Sequence, residues 1–331
     1  MKDGLITRRS VLAGAASLTG AMAMPGISLA QQAVDKFTWG INNPGFTTVI
    51  ARYILEKGLD KKHGFNLDVP KNYRSVPTYY NDFIAGAYEL CQMDWLSAAT
   101  MYSRKVPLKF IARMTTGSMI GIIVRKGTLT KPEDLKGKVF VGQQSTGAYR
   151  MTRALIKERY GLDLEKDASV QSVTTGSAGV NLVRAGQADA TVTWEPHLTY
   201  ALEADPNLEI LVDLGSVYQE LVKRQLPYFG VSIRQDLAGR DPTVVTRINK
   251  IFADAASGIM ADIPGAVALM GSGESGDFSP DVVKKALESK RLAFEYGSTA
   301  DAASREDVDA AVKFFHERGV APALVDKDFY A

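Results

Sequence analysis

Residues 185–196 read AGQADATVTWEP: an Ala-Gly turn, a short β-rich run from Ala190 to Thr193, then an aromatic, an acid and a proline in succession. Residues 85–95 read AGAYELCQMDW, the same arrangement one hundred positions earlier. In both, a helical pattern ends on Ala-Gly and a strand closes on an aromatic beside an acid. A second correspondence precedes each copy. Gly40-Ile-Asn-Asn-Pro-Gly45 aligns with Gly142-Gln-Gln-Ser-Thr-Gly147, and the helices that follow stop at Gly58-Leu59 and Gly161-Leu162. Each match is common alone; two in order at nearly equal offsets predict two lobes of related topology.

Between these landmarks strands alternate with helices. Strands are expected at Lys36–Gly40, Phe65–Val69, Tyr88–Met93 and Leu108–Arg113, then at Ile120–Val124, Lys138–Gly142, Val170–Val173 and Ala190–Thr193. Apolar residues at helical spacing predict helices over Phe46–Lys57, Val76–Ala85, Ser97–Ser103, Ala148–Tyr160 and Ala178–Arg184. The class is therefore α/β, built from parallel βαβ units. Crossing segments are expected near Thr115–Ser118 and from Leu211–Leu214 through Pro227–Ile233. Helices at Pro242–Ile259, Ile263–Met270, Pro280–Glu288 and Arg305–Arg318 complete the chain. These boundaries divide it into residues 31–116 with 229–331 as lobe 1, and residues 117–228 as lobe 2.

Residues 1–30 read as a targeting segment. Arg8-Arg9 precede an apolar stretch from Val11 to Met24, and Ser28-Leu29-Ala30 supplies the small residues of a cleavage site, so cleavage is expected after Ala30. The paired arginines fit a twin-arginine signal and an ordinary secretory signal alike. The stretch is shorter than the ~20 residues a membrane span needs. The chain carries 39 basic and 37 acidic residues; losing Lys2, Arg8, Arg9 and Asp3 leaves 36 of each. A balanced charge speaks against nucleic acid as a partner. The single cysteine, Cys91, excludes an internal disulfide, and His63, His197 and His316 lie too far apart for metal-ligand spacing.

Ligands of open parallel sheets bind beyond the carboxyl ends of the strands. In lobe 1 those ends carry Asn42-Asn43-Pro-Gly-Phe46 and Asp94-Trp95-Leu-Ser97; in lobe 2 they carry Gln143-Gln-Ser145-Thr146-Gly147 and Trp194-Glu195-Pro. The two first loops lead into helix N-termini, which favour an anion. Ser145 and Thr146 also suit a helix cap. The tryptophans offer apolar faces, and the acids can take a cationic group, a ligand N–H, or hold the cleft's own geometry. No G-x-S-x-G, H-E-x-x-H or phosphate-loop motif occurs. Glu195 with His197 is the only candidate catalytic pair, and no nucleophile is near it in sequence. Cys91 reads as a buried small apolar residue.

Glu133-Asp-Leu-Lys-Gly-Lys-Val-Phe-Val-Gly142, Val183-Arg-Ala-Gly-Gln-Ala-Asp-Ala190 and above all Val192-Thr-Trp-Glu-Pro196 carry a family resemblance. The chain resembles the substrate-binding proteins of ABC importers, in the nitrate/sulfonate/taurine group that includes thiamine-pyrimidine binders. The resemblance implies a two-lobed periplasmic binding protein fold (type II) with two crossing hinge strands and a central ligand cleft. It implies an exported, monomeric, non-enzymatic receptor without cofactor or metal, binding a small organic anion and handing it to a membrane permease with an ATPase subunit. By position, the ligand contacts would be Asn42, Asn43, Phe46, Asp94, Trp95, Ser97, Thr116, Ser145, Thr146, Gly147, Trp194, Glu195 and Tyr228. Trp95 stands where many members have small residues, and Asn42-Asn43 makes the first loop more polar. The clustered cysteines of the pyrimidine-synthesising relatives are absent. Trp95 and Trp194 are expected to face each other across the cleft, making fluorescence a reporter of closure. Two other readings stay open on this scaffold: an exported enzyme and a sensor feeding a membrane kinase.

Overall fold

The computed structural model describes residues 35–43, 45–67, 71–270 and 278–331. The expected targeting segment and its cleavage site lie outside them. The strands are β1 (Trp39–Asn42), β2 (Lys71–Tyr73), β3 (Leu90–Asp94), β4 (Leu108–Arg113), β5 (Ile120–Arg125), β6 (Val139–Gly142), β7 (Ser169–Ser172), β8 (Ala190–Trp194), β9 (Leu208–Asp213), β10 (Phe229–Arg234) and β11 (Gly297–Ser298). The helices are α1 (Phe46–Glu56), α2 (Leu59–Lys62), α3 (Val76–Ile84), α4 (Trp95–Ser103), α5 (Gly147–Tyr160), α6 (Leu164–Asp167), α7 (Gly176–Arg184), α8 (His197–Ala204), α9 (Leu214–Val222), α10 (Gln235–Ala238), α11 (Val244–Ala261), α12 (Ile263–Ala268), α13 (Pro280–Glu288) and α14 (Ala302–Glu317).

The strands form two sheets with one plan. In the first the order is β2-β1-β3-β10-β4-β11; in the second it is β7-β6-β8-β5-β9. β1 pairs in parallel with β2 and β3, as β6 does with β7 and β8. β10 then runs antiparallel to β3 and β4, as β5 does to β8 and β9. The antiparallel strand is the exchanged one. After β4 the chain crosses and inserts β5 into the second sheet; after β9 it crosses back and inserts β10 into the first. The two crossings run side by side, with Gly117 N–H donating to Leu226 O at 2.8 Å and Tyr228 N–H to Thr115 O at 2.9 Å.

Strands inside such sheets are covered on both faces, so β3 is buried throughout its length and β8 up to Thr193. Helix α1 turns Val49, Ile50 and Ile54 inward, the spacing its sequence carries. One apolar cluster runs through both lobes at the hinge, where Tyr218 stacks on Phe315 at 6.1 Å and Trp95 packs on the same ring at 5.6 Å, and a smaller one around Ile123, Val141 and Val180 lies within lobe 2.

The expected strand at Phe65–Val69 is displaced. Phe65 forms a single bridge to Asp35 and packs on Phe37 at 5.0 Å, the edge strand is β2, and residues 68–70 lie outside the described ones. An alternating run supplies apolar contacts under a helix as readily as a strand face, and the aromatic contact decides here. Helices α8 and α9, which the pattern did not separate, follow β8 and β9 directly.

Candidate functional site

The carboxyl ends of the parallel strands in the two sheets face each other. Between them lies a chamber lined by Asn42, Phe46, Tyr80, Asp94, Thr146, Trp194 and Tyr228, with Phe229 beside Phe46. It encloses about 30 Å³, room for little more than water. The chamber shares Val76 and Tyr80 with a wider mouth of about 410 Å³, where α3 and α4 of lobe 1 approach Gln144, Ser145 and Arg150 of lobe 2. A larger concavity, about 600 Å³, lies elsewhere, on the outer side of lobe 1 around α1 and α2. It is lined by Arg52, Glu56, Lys61 and Arg74, reaches the ends of β1 and β2 at Asn43 and Arg74, and touches no lobe 2 residue. The inter-lobe cleft is the candidate site.

Pairing across the sheets fixes which residues look into the cleft. Asp94 is opposite Phe229, the first residue of the exchanged strand β10; Trp194 is opposite Ile120, the first residue of exchanged β5. Asp94 and Trp194 are therefore equivalent, and both line the chamber. The next residue in each lobe turns away. Trp95 is fully buried, donates its indole N–H to Pro227 O at 2.8 Å, and packs on Phe315. Glu195 is fully buried too. Its oxygens accept from the Thr199 backbone N–H at 3.1 Å, from the Thr199 hydroxyl at 3.0 Å and from Arg291 Nε at 2.7 Å. The expectation of two tryptophans face to face across the cleft is corrected: a tryptophan in lobe 2 faces an aspartate in lobe 1.

Asp94 is 2 % exposed and richly held. Its Oδ1 caps α4 by accepting from Ser97 N–H at 2.8 Å, while Oδ2 accepts from the Ser97 hydroxyl at 2.7 Å and the Tyr80 hydroxyl at 3.2 Å. Burial, then the Asp94 charge, pushes the phenols of Tyr80 and Tyr228 well above their ordinary value, so both remain donors. Across the cleft Asp94 lies against Gly147, the first residue of α5; a Cβ there would sit 2.1 Å from Asp94 Oδ1. Only glycine lets the lobes approach this closely.

The other predicted residues divide by place. Asn42 lines the chamber, with its side-chain amide donating to Tyr73 O at 3.2 Å, whereas Asn43 turns to the outer concavity and accepts from Thr48 at 3.4 Å. Thr146 caps α5 by accepting from Tyr149 N–H at 3.3 Å and lines the chamber. Ser145 is exposed at the mouth with Ser97. Thr116 sits on the hinge, bridged to Pro227, and is not among the chamber-lining residues. Glu195 likewise holds the fold and lines no cleft. Sequence reasoning passed over Tyr80, Phe229 and Arg150. Arg150 lies one turn along α5 from Thr146, a spacing that places both on one helix face, and that was the available signal.

His197 and Cys91 are both buried. Burial lowers the His197 pKa to about 4, its ring packs edge-on to Phe278 at 4.7 Å, and its Nδ1 has no partner. Burial pushes the Cys91 thiol up to about 12. Among the described residues no group of three His, Cys, Asp or Glu side chains converges as a metal set.

The segment around α13 closes the other side. It packs on α8 of lobe 2 while following α12 of lobe 1. Besides Arg291–Glu195, Lys285 of α13 pairs with Glu203; at α14, Asp307 pairs with Arg224 at 3.0 Å and Arg318 with Glu158 at 2.7 Å.

Residues 53–262 match the family described as ABC transporter, phosphonate, periplasmic substrate-binding protein. No curated protein matches the chain. Among solved structures, the alkanesulfonate-binding protein SsuA of Xanthomonas axonopodis pv. citri bound to MOPS is 16% identical, with a TM-score of 0.70 over 87% of this chain and 94% of that one. The periplasmic aliphatic sulphonate binding protein SsuA of Escherichia coli is 15% identical, with a TM-score of 0.69 over 89% and 90%. The desulfurization enzyme DSZB is 14% identical, with a TM-score of 0.60 over 90% and 96%. At these identities the likeness concerns the fold, a two-lobed binding-protein architecture.

Proposed function

The chain belongs to the ABC-transporter periplasmic substrate-binding proteins whose family residues 53–262 match, and from that premise we propose that it is the solute receptor of an uptake system. It takes a small organic acid between its lobes and presents the closed form to a membrane permease. It acts as a monomer in the periplasm, after export and cleavage behind Ala30.

One observation carries this reading. Equivalent strand ends from two sheets bring an acid, an indole, two phenols, an amide and a helix start into one inter-lobe cleft. Few polar groups among aromatic faces are what a small-molecule site needs. A solute touching both lobes binds the closed form better and draws the population to it. The sulfonate binders of similar fold support an acid of that kind. Catalysis on the same scaffold finds less support, since Glu195 is committed to Thr199 and Arg291, and His197 is sealed against Phe278.

A thermal-shift panel of short sulfonates, phosphonates and carboxylates, followed by calorimetry, tests the reading. A true ligand at a hundred times its Kd should stabilise by about 2.7 kcal/mol. A panel that moves no melting point contradicts the assignment of an organic acid.

A further inference from the structure

Two groups of opposite sign stand one helical turn apart in the cleft. The first is Asp94. Its carboxylate lies against Gly147 at the start of α5, so lobe 1 already places a negative charge at the positive end of lobe 2's helix. A ligand anion seated there would meet a buried like charge. The second is Arg150. Its guanidinium reaches across to lobe 1, with contacts of 3.4 Å to the hydroxyls of Ser97 and Thr100. Its Nε is buried without a hydrogen-bond partner, and the described residues offer it no carboxylate at ion-pair distance. Other arginines that span the lobes do have one: Arg291 meets Glu195, Arg224 meets Asp307 and Arg318 meets Glu158.

Space points the same way as charge. The deep chamber encloses about 30 Å³ and the mouth about 410 Å³, and only the latter is of small-molecule size. Arg104 lines that mouth together with Arg150, Gln144 and Ser145.

We propose that Arg150 receives the ligand's acidic group at the cleft mouth, and that Asp94 is a built-in anion that keeps acids off the N-terminus of α5. This rests on the receptor reading above and deepens it. A guanidinium fork pairs two oxygens of a sulfonate, phosphonate or carboxylate, in place of its long contacts to two hydroxyls. Asp94 in turn sets a preference. A bare inorganic anion would be drawn to a free helix start, and here finds it taken. The ligand is thus an acid with an organic body, held by its head at Arg150 and by its body toward Tyr80 and Trp194.

Calorimetry on the purified protein tests both halves, with propanesulfonate, MOPS and inorganic sulfate as probes. The variants are Arg150→Gln, Arg150→Lys and Asp94→Asn; asparagine keeps the α4 cap. The wild type should bind an organic probe and ignore sulfate. Arg150→Gln should weaken the organic probe by about tenfold or more, and Arg150→Lys should recover part of that loss. Asp94→Asn should gain sulfate binding. Wild-type affinity in both Arg150 variants overturns the role of Arg150, and an Asp94→Asn protein that still ignores sulfate overturns the role of Asp94. If no organic probe binds the wild type while melting curves show it folded, the organic-acid reading falls and this assignment with it.

Discussion

The ends of β3 and β8 are the same structural position occupied by opposite chemistry. In lobe 1 the order is acid then tryptophan, Asp94-Trp95; in lobe 2 it is tryptophan then acid, Trp194-Glu195. Asp94 and Trp194 are the last residues of β3 and β8, and Trp95 and Glu195 lie just beyond the strands, so reversing the order exchanges which one holds the strand end and meets the cleft. Lobe 1 shows its acid and buries its indole against Phe315; lobe 2 shows its indole and buries its acid against Arg291. A repeat in sequence therefore became a complementary pair in space. The comparison separates two inward residues that should govern binding from two hidden ones that should govern stability.

The hidden pair gives the largest effects. Trp95→Ala should lose about 3–5 kcal/mol by urea unfolding while the folded fraction keeps its ligand affinity. Equal affinity loss and unchanged stability would place Trp95 in the cleft after all. Arg291→Ala should cost about 3 kcal/mol, since it leaves Glu195 buried without its cation. Adding Glu195→Gln should return part of that cost, and a double-mutant cycle measures the coupling. Additive costs would mean that the pair is incidental.

Two positions further, Ser97 corresponds to His197, and the difference is testable by pH. Ser97 bonds Asp94, whereas His197 is an imidazole held neutral by burial, with a pKa near 4. Between pH 6.5 and 4 the unfolded chain binds a proton there and the folded chain does not. Stability contributed by neutral His197 is thus present above that window and is lost as pH falls through it, by up to about 3 kcal/mol. His197→Gln should flatten the acid limb of the urea midpoint profile; an unchanged limb assigns it to other groups.

Much of this comparison was legible in the sequence, and its limits are physical. Strand spacing and the Ala-Gly turns located both strand ends, and the exchanged strand β5 follows from a run that reads as β, while β9 and β10 fall within the stretch expected to cross back. Which of two neighbouring residues faces inward was not legible. It depends on pairing with Phe229 and Ile120, which come from the other side of each crossing. The partner of Glu195 lies far along the chain, beyond a helix that changes lobes, and no local pattern announces it. Thr116 carried the resemblance into the cleft by position, but the hinge bridge to Pro227 holds it elsewhere. Arg150 was passed over because the groups it meets, the hydroxyls of Ser97 and Thr100, come from the opposing lobe.

The inward residue of lobe 2 should show the smallest effect on stability and a clear one on binding. Trp194→Ala should weaken ligand by about tenfold to a hundredfold with little change in melting temperature. The most direct test of the whole account uses the three tryptophans themselves. Trp39 and Trp95 are buried in lobe 1 and Trp194 alone lines the cleft. Titrating a binding sulfonate into the wild type, Trp95→Phe and Trp194→Phe while following intrinsic fluorescence should give a ligand-dependent change in the first two and none in the third. A change that survives in Trp194→Phe and vanishes in Trp95→Phe would contradict the assignment of inward and hidden residues.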